Sequence, residues 1–208
     1  MWKNEELMYM RTSIYSIGHG HKTQEEFIDE LQYFHIQYLI DVRATPFSKW
    51  SPQFNQGVIE QWLKAAGIIY GYMGNSIGGR PQDDTCYDEE GFFDYRKMAE
   101  VPAFKEGLKR LLNANSQGLY VAVMCTESDP LQCHRSKLIG RELYFGQGIN
   151  MPHIIGVGKT ISQTQIMTEL TKGDWLPGGN LFGRCEPPYF KSRKAYKDLM
   201  PETVDYYD

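Results

Sequence analysis

The chain has 208 residues, 41% of them hydrophobic and 13% aromatic, with 22 basic against 26 acidic side chains and a formal net charge of −4. That length suits one domain with an appendage and an adequate core, and the acidic balance excludes a wholesale nucleic-acid coat while allowing a local basic patch. No apolar run nears the ~20 residues of a membrane span, and no signal peptide precedes the scattered Cys86, Cys125, Cys133 and Cys185, so a soluble, cytoplasmic setting with free thiols is expected.

Residues 1–11 read as a frayed leader. Residues 13–17 (Ser-Ile-Tyr-Ser-Ile) form a short buried strand that stops at Gly18-His19-Gly20-His21. Thr23 is an N-cap for a helix with Phe27, Ile28, Leu31 and Phe34 on one face. Residues 38–42 (Tyr-Leu-Ile-Asp-Val) are a second strand, closed by Arg43 and Pro46. A long loop over 44–57, rich in Ser, Pro and aromatics, has the character of a functional loop. A short helix through Ile59, Trp62 and Leu63 ends at Gly67, and residues 68–72 make a third strand. Residues 74–91 form a second polar loop containing Gly78-Gly79-Arg80-Pro81. A helix through Phe104, Leu108, Leu111 and Leu112 leads to a fourth strand, 119–124. After the segment holding Cys133, His134 and Arg135 comes a fifth strand, 153–157.

Strands alternating with helices predict an α/β domain, Rossmann-like and three-layered, with a mostly parallel sheet of about five strands over residues 1–158. Residues 159–208 are left as an irregular C-terminal extension. In such sheets a site forms beyond the carboxyl ends of the strands. There the sequence places His19, Asp41, Arg43, Asn75, Cys125 and Glu127. Polar residues also follow strands merely because strands run into loops, and Asn75 is read that way. Asp41, Arg43, Cys125 and Glu127 directly abut apolar runs and are read as site residues.

Asp129, Pro130 and Gln132 carry the N-cap, first-turn and capping-box signals of a helix. Leu131, Leu138 and Phe145 recur every seven residues, with Ile139 beside them. Helical phase then turns Arg135 inward, His134 to the edge and Cys133 outward. An inward guanidinium needs an anion, either a carboxylate such as Asp41 or Glu127, or a bound phosphate or carboxylate. Cys125 is either a small buried apolar residue or a thiolate nucleophile. Its ten-residue spacing to Arg135 does not match the Cys-x5-Arg loop of a cysteine phosphatase. A metal held by Cys125, Cys133, His134 and His19 is the lesser reading, because no Cys-x2-Cys pair is present and Cys133 is aimed away. His19, between glycines, suits a general acid or base, while His21 is assigned to solvent, His35 to a helix end and His153 equally to structure or catalysis.

These residues together resemble the DUF488 family, whose name records an unknown function. The resemblance rests on Ile17-Gly-His19, Asp41-Val-Arg43 with Pro46 and Ser48, Pro52-Gln-Phe54, Ile77-Gly-Gly79, Met124-Cys-x-Glu127-x-x-Pro130-x-x-Cys133-His-Arg135, and His153-Ile154. It spans about residues 13–157 and implies a site without implying a reaction or a cofactor. The expectation is an enzyme on a phosphate-bearing substrate such as a nucleotide or nucleic acid. His19, Asp41, Cys125, Glu127 and His134 would be catalytic, and Arg43, Ser48, Gly78, Gly79 and Arg135 would bind substrate. The alternatives are a non-catalytic nucleotide or nucleic-acid-binding module and a zinc-stabilised domain. The basic, aromatic stretch 184–197 could stack bases or pack back on the domain.

Overall fold

The computed structural model describes residues 12–81, 83–179 and 186–196. The leader expected over 1–11, Cys185, and both ends of the basic stretch 184–197 lie outside the described residues.

The sheet is built around a strand that is buried at every position, Val121–Cys125, numbered β5 in chain order. A run without polar alternation belongs in the middle of a sheet covered on both faces. Its parallel neighbours are β1 (Ile14–Gly18) and β2 (Tyr38–Asp41). Outside them lie β3 (Ile69–Tyr72), parallel to β2, and β6 (Pro152–Gly156), parallel to β1. An antiparallel edge strand, β7 (Lys159–Ser162), completes the order β3-β2-β5-β1-β6-β7.

The sequence anticipates five of these six strands. It misses β7 because Lys-Thr-Ile-Ser carries no apolar run and its first two residues are exposed. The hairpin turn uses Gly158 at φ 68°, a conformation that favours glycine. The sheet therefore continues past residue 158, where the sequence reading ended the domain.

Side chains alternate across the strands and divide the core in two. On one face, α1 (Gln24–Tyr33) and α2 (Gln56–Ala65) bury Phe27, Leu31, Ile59, Trp62 and Leu63 against Ile17, Leu39, Ala122 and Met124. Thr23 and Glu26 form a reciprocal capping box at the start of α1. The opposite face carries α3 (Gly74–Ile77), α4 (Tyr95–Glu100), α5 (Pro102–Ser116) and α6 (Arg141–Gln147). Ile77, Met98, Phe104, Leu111 and Leu143 pack there with Ile14, Val121, Val123 and Cys125. α7 (Gln163–Leu170) follows β7 and starts from a second capping box, on Ser162.

A second small sheet pairs β4 (Phe92–Asp94) with β8 (Lys191–Ala195). It ties the end of the chain to the domain. Phe190 and Tyr196 pack on the core, the Arg141 guanidinium lies 3.6 Å from the Tyr189 ring centroid, and Arg80 lies 4.5 Å from that of Tyr196. The described aromatics of this stretch thus make intramolecular contacts. No helix among the described residues is long and apolar enough to cross a membrane.

Candidate functional site

Alternation along the strands sorts the polar residues at their carboxyl ends into two groups, one on each face of the sheet. Asp41 follows Leu39 in phase, so it projects toward α1 and α2, as does His19 after Ile17. Asp41 is fully buried, and Arg43 is 4% exposed. Arg43 Nε donates to both carboxylate oxygens at 3.0 and 3.1 Å, and its Nη2 donates to Oδ2 at 2.5 Å. The Arg43 backbone N–H and the Tyr70 hydroxyl also donate to this carboxylate, at 3.0 and 2.9 Å. Burial and the Asp41 charge together push the Tyr70 hydroxyl up, keeping it protonated as a donor.

The rest of the Arg43 fork faces two other groups. Nη2 also donates to the Phe54 carbonyl at 2.7 Å, and Nη1 lies 3.4 Å from His19 Nε2. His19 Nδ1 lies 3.0 Å from the Gly20 carbonyl oxygen, which can only accept, so Nδ1 carries the proton and Nε2 presents its lone pair. The ring stacks on Phe54 with centroids 4.3 Å apart. Burial, then the Arg43 charge, then the Arg135 and Lys22 charges, outweigh the Gly20 bond and bring the His19 pKa down to about 4. It is a neutral imidazole at pH 7.

The second group projects the other way, and its backbone departs from the predicted helix. Asp129 caps only one 3-10 turn, Pro130–Gln132, by accepting from Leu131 N–H. Cys133 then leaves the helical region at φ −116°, ψ 148°, and a π-helical stretch, Arg135–Gly140, leads into α6. The break resets the helical phase. Cys133 is consequently buried, 2% exposed, which corrects the outward aim expected from an unbroken helix. Arg135 points inward as expected and is fully buried.

Arg135 has no carboxylate partner among the described residues. Its Nε donates to Cys133 Sγ at 3.2 Å, Nη1 to Ser16 Oγ at 3.2 Å and Nη2 to the Glu127 carbonyl at 2.5 Å. Asp41, one of its two expected partners, belongs to Arg43 on the other face. Burial alone would raise the Cys133 thiol. A hydrogen bond from Cys125, the Arg135 charge and His134 outweigh it and hold Cys133 well below the ordinary thiol range. Cys125, acting as the donor and buried, is pushed well above that range. The two thiols are thus shifted in opposite directions, and Arg135 Nε donates to the sulfur that is shifted down.

His134 Nδ1 lies 3.8 Å from Cys125 Sγ and 3.7 Å from Cys133 Sγ. Its Nε2 is buried without a hydrogen-bond partner among the described residues. Gly79 sits against this ring, where a Cβ would fall 2.8 Å from Nδ1, and a Cβ on Gly78 would fall 2.0 Å from the Gly74 carbonyl oxygen. Gly79 thus permits the close approach to His134, while Gly78 permits the tight turn against Gly74.

Ser16 extends the second group into a directed chain. Gln163 Nε2 donates to the Ser136 carbonyl at 2.9 Å, leaving Gln163 Oε1 to accept from His153 Nε2 at 2.8 Å. His153 Nδ1 then accepts from the Ser16 hydroxyl at 2.6 Å. Burial and the Arg135 charge lower the His153 pKa to about 3.

Of the residues nominated from sequence, His19, Asp41 and Arg43 meet on one face, and Cys125, His134 and Arg135 on the other. Gly78 and Gly79 adjoin the second group. The Glu127 side chain is exposed, and its carbonyl is the part that reaches Arg135. Ser48 shapes the loop after β2, accepting from Trp50 N–H through its hydroxyl while its own N–H donates to Asn55 Oδ1. Ser16, Tyr70 and Gln163 were missed. Ser16 carries a readable signal, being a hydroxyl within a buried strand on the same face as Ile14.

The family described as domain of unknown function DUF488 matches residues 23–141, more than half of the chain, and the chain belongs to that family. No curated protein and no solved structure matches it.

Proposed function

We propose that this DUF488 protein is an enzyme acting on a phosphate-bearing substrate, such as a nucleotide or nucleic acid, at the carboxyl ends of β1 and β2. The observation that carries this reading is a fully buried His19 at the carboxyl end of β1, its bare Nε2 3.4 Å from Arg43 Nη1, the guanidinium nitrogen that neither Asp41 nor Phe54 engages. A phosphate oxygen is a natural acceptor for that remaining donor. His19 takes the proton of a water or hydroxyl at Nε2 as its oxygen bonds to phosphorus, and the imidazolium returns a proton to the departing oxygen as the old P–O bond breaks. The Arg43 guanidinium opposes the imidazolium charge and a substrate anion offsets it, so phosphate binding itself makes His19 a competent base. Asp41 fixes the plane of Arg43 and takes no proton.

His19 is fully buried beneath the loop that carries Phe54. Substrate entry therefore requires that loop to lift. The same loop presents Trp50, 80% exposed, as a surface on which a base can stack. Cys125 and His134, on the opposite sheet face, have no part in this step.

The test is a panel of nucleotides and single-stranded oligonucleotides, with wild type compared against His19→Gln and Glu127→Gln. Turnover of a phosphate-bearing member, lost in His19→Gln with a native circular-dichroism spectrum, is the expected result. Turnover retained in Glu127→Gln is expected, because its exposed carboxylate takes no part in the step. Equal turnover of phosphate-free analogues contradicts the reading, and saturable binding without turnover moves the chain to the non-catalytic class.

A further inference from the structure

On the opposite face, the side chains of Cys125, Cys133 and His134 bring two sulfurs and a ring nitrogen within 4.8 Å of one another. All three residues are buried, at 9%, 2% and 6% exposure. We propose that Cys125 Sγ, Cys133 Sγ and His134 Nδ1 form a three-ligand site for a thiophilic divalent metal of the zinc class.

The distances fit that assignment. Zinc–sulfur bonds of about 2.3 Å and zinc–nitrogen bonds of about 2.0–2.1 Å at a tetrahedral angle give a sulfur–nitrogen edge of about 3.6 Å. The two observed edges are 3.8 and 3.7 Å. Nitrogen and sulfur at these separations make poor hydrogen bonds and good neighbouring ligands.

The ring is also aimed correctly: with its proton on Nε2, which has no hydrogen-bond partner among the described residues, the Nδ1 lone pair faces both sulfurs. Gly79 completes the local fit, because a side chain there would strike Nδ1 itself.

The surrounding charges suit a dithiolate centre. Arg135 Nε already donates to Cys133 Sγ, an interaction that orients a sulfur ligand and disperses its charge. A dication bound by both sulfurs as thiolates, with the protons they carry released to solvent, and by a neutral imidazole gives, together with Arg135, a net charge of +1. Three protein ligands leave a fourth position for water or a substrate atom, as in reactive metal sites. This inference is independent of the phosphate reading, since none of the three ligands takes part in it.

The experiment uses the full chain without an affinity tag, reduced, loaded with excess cobalt(II) or zinc(II) and then dialysed. The expected result is about one metal per chain by mass spectrometry. Cobalt should also give the sulfur-to-metal charge-transfer band and intense visible bands of tetrahedral thiolate coordination. Cys125→Ser, Cys133→Ser and His134→Ala should each lower retention by at least about tenfold, while Cys86→Ala, a buried thiol outside the cluster, should retain wild-type metal and spectra. Because a cluster variant could fail to fold, the wild-type cobalt spectrum stands as a separate readout. A folded wild type that takes up no metal and shows no charge-transfer band overturns the proposal. So does undiminished retention in a natively folded Cys125→Ser/Cys133→Ser protein, or an intramolecular Cys125–Cys133 disulfide that re-forms in preference to metal binding under the loading conditions.

Discussion

The two faces of the sheet each bury an arginine, and they engage it differently. Toward α1 and α2, Arg43 is clamped by a carboxylate that accepts from three of its atoms and from Tyr70. Toward α6, Arg135 has a sulfur, a hydroxyl and a carbonyl as partners. The Asp41 carboxylate clamps a guanidinium that is always charged. A thiol pair can exchange its protons for a metal. One face holds its arginine with carboxylate oxygens, while the other presents sulfur that can take a metal.

Removing one member from each face exposes that difference most strongly. Asp41→Asn leaves Arg43, which cannot lose its proton, buried without an anion, and should cost about 3–5 kcal/mol. Arg135→Met leaves a sulfur, a hydroxyl and a carbonyl rather than a carboxylate, so in metal-free, reduced protein it should cost less, about 1–3 kcal/mol. Denaturant unfolding of both variants beside wild type checks the ranking. A reversal would mean that the carboxylate clamp is the weaker of the two.

Acid should act on both faces, since each contains a histidine held neutral. For a group whose folded pKa is lowered, stability is complete above the unfolded value and falls as pH drops toward the folded one. His19 and His153, at about 4 and about 3 against 6.5, should therefore each contribute a loss approaching about 1.4 kcal/mol per pH unit below about pH 6. Denaturant midpoints measured from neutral to acid pH should show a shallower loss in His19→Phe.

Ser16→Ala interrupts the chain from Arg135 to His153 and should cost about 1–3 kcal/mol by leaving buried donors and acceptors unpaired. Its effect should not add to that of Arg135→Met, which a double-mutant cycle would measure. The smallest change expected is in Thr23→Ala, at about 1 kcal/mol, because it removes one exposed cap and touches neither cluster.

The residues that the sequence makes legible are those whose partners are local. Thr23 and Glu26 are three apart, and β5 is an unbroken apolar run, so the cap and the central strand can both be read directly. Asp41 and Arg43, two apart on a strand end, could also be nominated. The aim of Cys133 could not be read. Its orientation depends on a helix that stops after Gln132 and resumes past Cys133, while heptad spacing assumes continuity. Gln163 was invisible for another reason: it reaches His153 only because β7 folds back on β6, and β7 itself lacks an apolar signature. The assignment of Arg135 to Asp41 failed because strand alternation puts them on opposite faces, a constraint that sequence proximity to strand ends does not reveal.

The claim that phosphate is received beside His19 and Arg43 is tested most directly by following the His19 imidazole by NMR while inorganic phosphate is added. The account predicts a saturable shift of the His19 resonances and a rise of its pKa from about 4, with exposed His21 unaffected. It also predicts that Arg43→Gln abolishes the response. A His19 signal that does not move with phosphate in folded wild-type protein would contradict it.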